Sequence, residues 1–94
     1  MFSHVMVGAD DIESAKAFYD VTLGELGIEP GFVDDKGRVF YRTKSGVFGV
    51  SKPIDGEAAT HANGGTIGFA ADNKEQCNAW HAANFWIRHF IAAA

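Results

Sequence analysis

The chain has one cysteine, two prolines and only eight basic residues against twelve acidic ones. With Cys77 alone, no disulfide can form within the chain, and a reducing cytoplasmic location is the prediction. The net charge of −4 and the scattered lysines and arginines disfavour a nucleic-acid partner, because phosphate binding requires a basic stripe. No apolar run approaches the ~20 residues that span a bilayer, so no membrane partner is expected.

The sequence does contain an internal repeat. Residues 4–19 recur in degraded form at residues 66–81, an offset of about 62 residues that is typical of a duplicated supersecondary unit. In the first copy, Asp10 and Glu13 make a capping-box pattern before a helix, and Asp72 repeats the cap in the second. The chain therefore begins one structural module twice, and strand-like sequence follows only the first copy.

The first copy predicts the element order β-α-β-β-β. Residues 2–9 alternate as in a strand, and apolar residues at helical spacing then continue to Gly24. Three short strands separated by polar turns of hairpin length are expected near residues 29–33, 38–43 and 47–51. A second strand is expected over residues 66–71, followed by a second helix.

These elements predict a single α+β domain with a curved, mostly antiparallel sheet and its helices on one face. Its parts are a complete βαβββ module in residues 1–51, a linker in 52–65, a partial βα module in 66–83 and an apolar, divergent tail in 84–94. Cys77 aligns with Ala15 of the first copy, on the stripe that faces the core. A buried, inert thiol is therefore expected.

The tail carries large apolar side chains around most of a helix circumference, which is unfavourable in water. Either it covers the molecule's own sheet, or it is an altered terminus, or it lies in a subunit interface. The number of large aromatic residues favours the interface, and with it a homodimer or higher homo-oligomer. The candidate interface residues are Phe85, Trp86, Ile87, Phe90 and Ile91.

The opening unit, HVMVGADDIESAKAFYDVTLGELG, resembles the glyoxalase/bleomycin-resistance/extradiol-dioxygenase family, also called the vicinal oxygen chelate superfamily. The resemblance covers residues 1–83. It rests on a His near the start of the first strand, an Asp-capped helix containing Phe-Tyr, and Leu-Gly before the next strand. It implies two modules whose sheets form a cup. The family includes lyases, dioxygenases and metal-free drug-binding proteins, so the fold does not settle the activity.

In metal-dependent members of the family, ligands come from the first and last strands of each module. Carried over to this sequence, the first-strand ligands fall on His4 and Thr66, and the last-strand acid of the first module falls near Gly49. The last-strand acid of the second module has no counterpart in this sequence. One imidazole does not hold a divalent ion, so no metal and no cofactor are expected, and His4 is predicted to be a pocket residue.

Positions expected to face the cup supply the candidate ligand pocket; they are His4, Met6, Phe40, Arg42, Ser51 and Thr66. The favoured function is a metal-free protein that binds a small apolar or aromatic ligand, with no catalytic residue assigned. Two alternatives stay open. One is a lactoylglutathione-lyase-like or dioxygenase-like metalloenzyme whose site is shared across a dimer. The other is a truncated, non-catalytic protein whose remaining activity is self-association.

Overall fold

The computed structural model describes residues 1–93, with side chains described through residue 85. The strands are β1 (His4–Gly8), β2 (Phe32–Val33), β3 (Val39–Thr43) and β4 (Gly46–Ser51), and the helices are α1 (Ile12–Gly24) and α2 (Lys74–Ala93). The α+β class and the β-α-β-β-β order of the first module are thereby confirmed. No helix within the described residues is long and apolar enough to cross a membrane.

The four strands form one sheet in the order β1-β4-β3-β2. Strand β3 runs antiparallel to both β2 and β4, while β1 runs parallel to β4, so the sheet is mostly antiparallel as predicted. It is uncurled rather than curved. All four strands come from the first module, and no strand of the second extends the sheet toward a cup in the described part of the chain.

Both helices lie on one side of this sheet, where α1 packs on the strands and α2 packs against α1. The core lies between α1 and the sheet. Side chains alternate between the two faces of a strand, so Val39 and Tyr41 of β3 point to the helices together with Phe48 and Val50 of β4. All four are buried, as is Leu23 of α1. Burying a large apolar side chain of this kind stabilises the fold by about 1.5–3 kcal/mol.

A polar network joins α1 to β3 behind this core. The hydroxyl of Tyr41, a residue only 1% exposed, donates to Asp20 Oδ1 at 2.8 Å, and the backbone N–H of Gly31 donates to the same oxygen at 2.9 Å. Lys16 Nζ lies 2.6 Å from Asp20 Oδ2. Partial burial raises the pKa of the Asp20 carboxyl, but these hydrogen bonds outweigh it and leave that pKa below its usual value.

The cap of α1 is Asp11 and not Asp10. Asp11 Oδ1 accepts from the backbone N–H of Ser14 at 3.2 Å, and Oδ2 accepts from the Ser14 hydroxyl at 2.8 Å. Asp10 accepts instead from the backbone N–H of Ala59 at 2.7 Å, which ties the 52–65 segment to the start of the helix. Two adjacent aspartates both fit the capping pattern, and this long-range bond selects between them.

The start of α2 repeats the start of α1 in equivalent positions. Asn73 Oδ1 accepts from the backbone N–H of Gln76 at 2.8 Å, as Asp11 does from Ser14. The prediction of Asp72 as the cap is therefore wrong by one residue, as it was in the first copy. The repeat itself extends to the hydrogen bonds that begin each helix.

The strand expected over residues 66–71 is absent, and this part of the chain is irregular. A strand is stabilised by a hydrogen-bonded partner, and β1 pairs with β4 alone among the described residues. Phe69 nevertheless reaches the core, with its ring centroid 5.2 Å from that of Phe48. Ile67, two residues earlier, is 46% exposed.

The expectation that Cys77 is buried is wrong, because the thiol is exposed. The half-buried positions of α2 recur at helical spacing through Gln76, Ala79, Trp80 and Ala83. Cys77 lies beside this stripe. The alignment with Ala15 therefore gives the correct start of the helix but not its rotation about its axis.

Candidate functional site

The face of the sheet opposite the helices is left open within the described chain, and we call it the open face. Cross-strand register places Phe32, Phe40, Gly49 and Met6 side by side in one line across it, the apolar row. Arg42, Val47 and His4 form a neighbouring line, the Arg42 row. Residues that pair directly across strands share a face, so both rows look away from the core.

Met6 lies across Gly49 at the centre of the apolar row. A Cβ atom built on Gly49 would overlap Met6 Sδ and would come within 2.7 Å of Met6 Cε and 3.2 Å of Phe40 Cδ1. Gly49 is buried by these two neighbours. The absence of a side chain at position 49 is therefore what allows the methionine to cover the middle of the open face.

Two arginines flank Phe40 on β3. The guanidinium carbon of Arg38 lies 5.3 Å from the centroid of the Phe40 ring, and that of Arg42 lies 5.7 Å from it. Cations at this distance are attracted to the negative face of an aromatic ring. The open face thus combines an apolar centre with positive charge on both sides of one ring.

The two arginines differ in their polar partners. Arg38 Nε and Nη2 each lie 2.6 Å from Asp34 Oδ2. Desolvation raises the pKa of the Asp34 carboxyl, but the hydrogen bonds from Arg38 and Lys36 outweigh it and hold that pKa below its usual value. Arg42 is exposed and forms no ion pair with another described residue.

His4 is exposed at the end of the Arg42 row, and its Nδ1 is hydrogen-bonded to the Ser3 hydroxyl at 2.7 Å. Among the described residues, no three His, Cys, Asp or Glu side chains lie close enough together to hold a metal ion. Gly49 and Thr66, the other mapped ligand positions, carry no carboxylate or imidazole. The donor set of the described chain therefore does not fit the divalent ion of the family's metal-dependent members.

Five of the six predicted pocket residues lie on the strands that form the open face. His4, Met6, Phe40 and Arg42 belong to its two rows. Ser51 pairs with Gly8 at the edge of the apolar row and lines an open cleft of about 1210 Å³ that also contains Met6 and Arg38. Thr66 lies in the irregular segment, because the strand expected to carry it does not form.

Sequence reasoning missed Phe32, which extends the apolar row and is 62% exposed. Strand β2 has only two residues, so alternation does not reveal which face Phe32 occupies. The hairpin turn before β3 does set the register that pairs Phe32 with Phe40. Of the predicted interface residues, Phe85 is 55% exposed. The side chains of Trp86, Ile87, Phe90 and Ile91 lie outside the described residues.

Comparison with known proteins finds no matching family model and no matching curated protein. Among solved structures, a glyoxalase/bleomycin resistance protein from Albidiferax ferrireducens T118 is 56% identical, with a TM-score of 0.87, and the match covers 92% of this chain and 68% of that one. A lactoylglutathione lyase from Agrobacterium tumefaciens is 22% identical, with a TM-score of 0.59 over 94% of this chain and 70% of that one. At this identity the second match shows the fold alone.

The first match, at 56% identity across 92% of this chain, agrees with the β-α-β-β-β order and with the resemblance read from the opening strand and helix. The chain belongs to the glyoxalase/bleomycin resistance protein family, within the vicinal oxygen chelate superfamily.

Proposed function

We propose that the protein is a metal-free small-molecule-binding protein of the glyoxalase/bleomycin-resistance type, with the open face as its ligand site. The packing of Met6 across Gly49 is the observation that supports this most directly. It leaves a continuous apolar surface, from Phe32 to Met6, at the position where metal-dependent relatives are expected to carry an acid. An apolar surface edged by a few polar groups is typical of small-molecule sites.

The metalloenzyme alternative has less support from the described side chains. A symmetric dimer would bring a second His4 to a shared site, but both copies would still have glycine at position 49 and threonine at 66. A carboxylate at position 49 would also require Met6 to move. Elemental analysis of protein prepared without chelators tests the point, and one tightly bound divalent ion per dimer would contradict our proposal.

We also propose that a homodimer covers the open face and that residues 66–83 act as a partial second module within it. Phe32 and Met6 are 62% and 38% exposed, respectively, in one chain. Apolar side chains that share one sheet face in this way are typical of interfaces and ligand grooves. Size-exclusion chromatography with light scattering measures the oligomeric state directly. A protein that is monomeric at all concentrations would refute the proposed homodimer, but not a ligand site on the open face of a single chain.

The two methionines of the chain offer a direct test of binding. With methyl-¹³C methionine, Met6 reports on the open face, while Met1, which is fully exposed, serves as an internal control. We expect the neutral aromatic probe 2-naphthalenemethanol to shift the Met6 methyl resonance and leave that of Met1 in place. Phe40→Ala should weaken this binding, because the Phe40 ring forms the centre of the surface.

Val21→Ala is the matched control for the Phe40 variant. Val21 is 44% exposed on α1, away from the open face, so its truncation should leave the affinity unchanged. Equal loss of affinity in both variants, or no shift of the Met6 methyl with any aromatic probe, would remove the open face as the ligand site.

A further inference from the structure

The open face carries one cation whose charge is not balanced by the described chain. Arg38 is held by Asp34, whereas the guanidinium of Arg42 lies over the Phe40 ring and has no ion-pair or hydrogen-bond partner among the described residues. Among the strand residues of the sheet, Arg42 is the one arginine or lysine, and there is no aspartate or glutamate. In a chain with a net charge of −4, this is a local positive site on an acidic molecule.

The register fixes where this charge lies relative to the apolar surface. Arg42 pairs with Val47 across β4, and Phe40 pairs with Gly49 two residues along. The guanidinium of Arg42 is therefore one row away from the apolar centre, 5.7 Å from the Phe40 ring. A planar group lying over Phe40 and Met6 would place a substituent at its edge within reach of Arg42.

We propose that the ligand is a planar aromatic carboxylate, with its ring on the apolar row and its carboxylate paired with Arg42. This rests on the proposed role of the open face as a ligand site. A guanidinium presents two parallel N–H donors that match the two oxygens of a carboxylate. Arg38 is the weaker candidate for this role, because Asp34 already occupies its donors Nε and Nη2.

The test compares 2-naphthoate with 2-naphthalenemethanol, which have the same ring system and differ in charge. Titrations are followed by the methyl-¹³C signal of Met6 in the full chain. We expect the wild-type protein to bind the carboxylate about tenfold more tightly than the alcohol, the difference that one charge-assisted hydrogen-bonded pair provides. Arg42→Gln should abolish this preference, because the carboxylate then loses its charged partner.

Lys44→Gln is the matched control, since it removes one exposed positive charge just beyond β3 and away from Phe40. It should keep the preference for the carboxylate. The Arg42 side chain is exposed and makes no hydrogen bond with another described residue, so both variants should fold, and equal thermal midpoints would verify this.

Each remaining outcome has a distinct meaning. Equal binding of carboxylate and alcohol by the wild-type protein, or a preference that survives in Arg42→Gln, would overturn the ligand class while leaving the open face as the site. A Met6 signal unmoved by both compounds would overturn the proposed function together with this inference.

Discussion

The packing of Met6 over Gly49 predicts how Gly49→Ala changes the stability of the protein, and the direction of that change depends on the residue at position 6. In a strand, replacing glycine by alanine ordinarily stabilises a protein by about 0.5–1 kcal/mol, because glycine loses more backbone freedom on folding. At position 49 the added methyl group would overlap Met6 Sδ and press on Phe40 Cδ1 at 3.2 Å. We therefore expect Gly49→Ala to destabilise the protein.

The magnitude follows from how the overlap can be relieved. Met6 is 38% exposed and unbranched, so it can swing away, at the cost of a strained rotamer and of the contact that it makes with the apolar row. Overpacking that side chains relieve in this way costs about 1–3 kcal/mol. After the backbone gain, the net loss should be about 0.5–2 kcal/mol.

Truncation of Met6 to alanine should turn the effect of Gly49→Ala from destabilising to stabilising. In a Met6→Ala background the overlap with sulfur is gone, and the contact with Phe40 Cδ1 at 3.2 Å remains. A small shift of the ring relieves that contact, so Gly49→Ala should stabilise the protein by up to about 0.5–1 kcal/mol. The coupling energy between the two positions is then about 1–3 kcal/mol, the cost of the overlap itself.

Urea denaturation of the four proteins in this cycle, followed by tryptophan fluorescence, gives the required free energies of unfolding. All four should be measured at one protein concentration, since self-association would otherwise shift the apparent stability. If Gly49→Ala has the same effect with methionine and with alanine at position 6, then Met6 does not lie across Gly49, and the continuity of the apolar row is refuted.

Two further predictions concern the polar contacts of α1. The pKa of Asp20 is lowered in the folded protein, so the stability that Asp20 contributes is complete above the ordinary value of 3.8 and is lost as the pH falls through the lowered value. Asp20→Asn should therefore flatten the loss of stability in acid. Urea titrations at a series of pH values measure this, and an unchanged acid transition would refute the role of Asp20. Asp11→Ala should cost about 1 kcal/mol through loss of the cap, whereas Asp11→Asn should cost far less because asparagine also caps helices; equal thermal midpoints for the two variants would contradict the assignment of Asp11.

The first module could be predicted from its sequence because its patterns are short-range. Alternation in β3 and β4 follows from the apolar residues that pack against α1, and the polar turns between the strands fix their register. Alternation also places Phe40 and Arg42 on one face of β3, but it does not say which face that is; the pairing with β4 and β1 shows that they share it with Met6. What alternation does not reveal is that Met6 fills the space over Gly49, because this contact joins residues far apart in the chain.

The predictions that were wrong share one physical cause: each depended on a contact with a residue far away in the chain. Asp10 and Asp11 are equally good caps locally, and the Ala59 N–H decides between them. Residues 66–71 have the composition of a strand, but no strand in the described part of the chain pairs with them. Cys77 is exposed because the rotation of α2 depends on its packing, which the internal repeat does not specify.

The hydrogen bonds of Tyr41 have a consequence for the kinetics of binding. Tyr41 stands between Phe40 and Arg42 in β3, and its hydroxyl is anchored to Asp20 and to the Lys16 carbonyl on the far side of the sheet. The backbone that presents the ring and the guanidinium is therefore fixed before a ligand arrives. Such pre-organisation lowers the entropy lost on binding, so association should be a single fast phase without a preceding rearrangement of the strand.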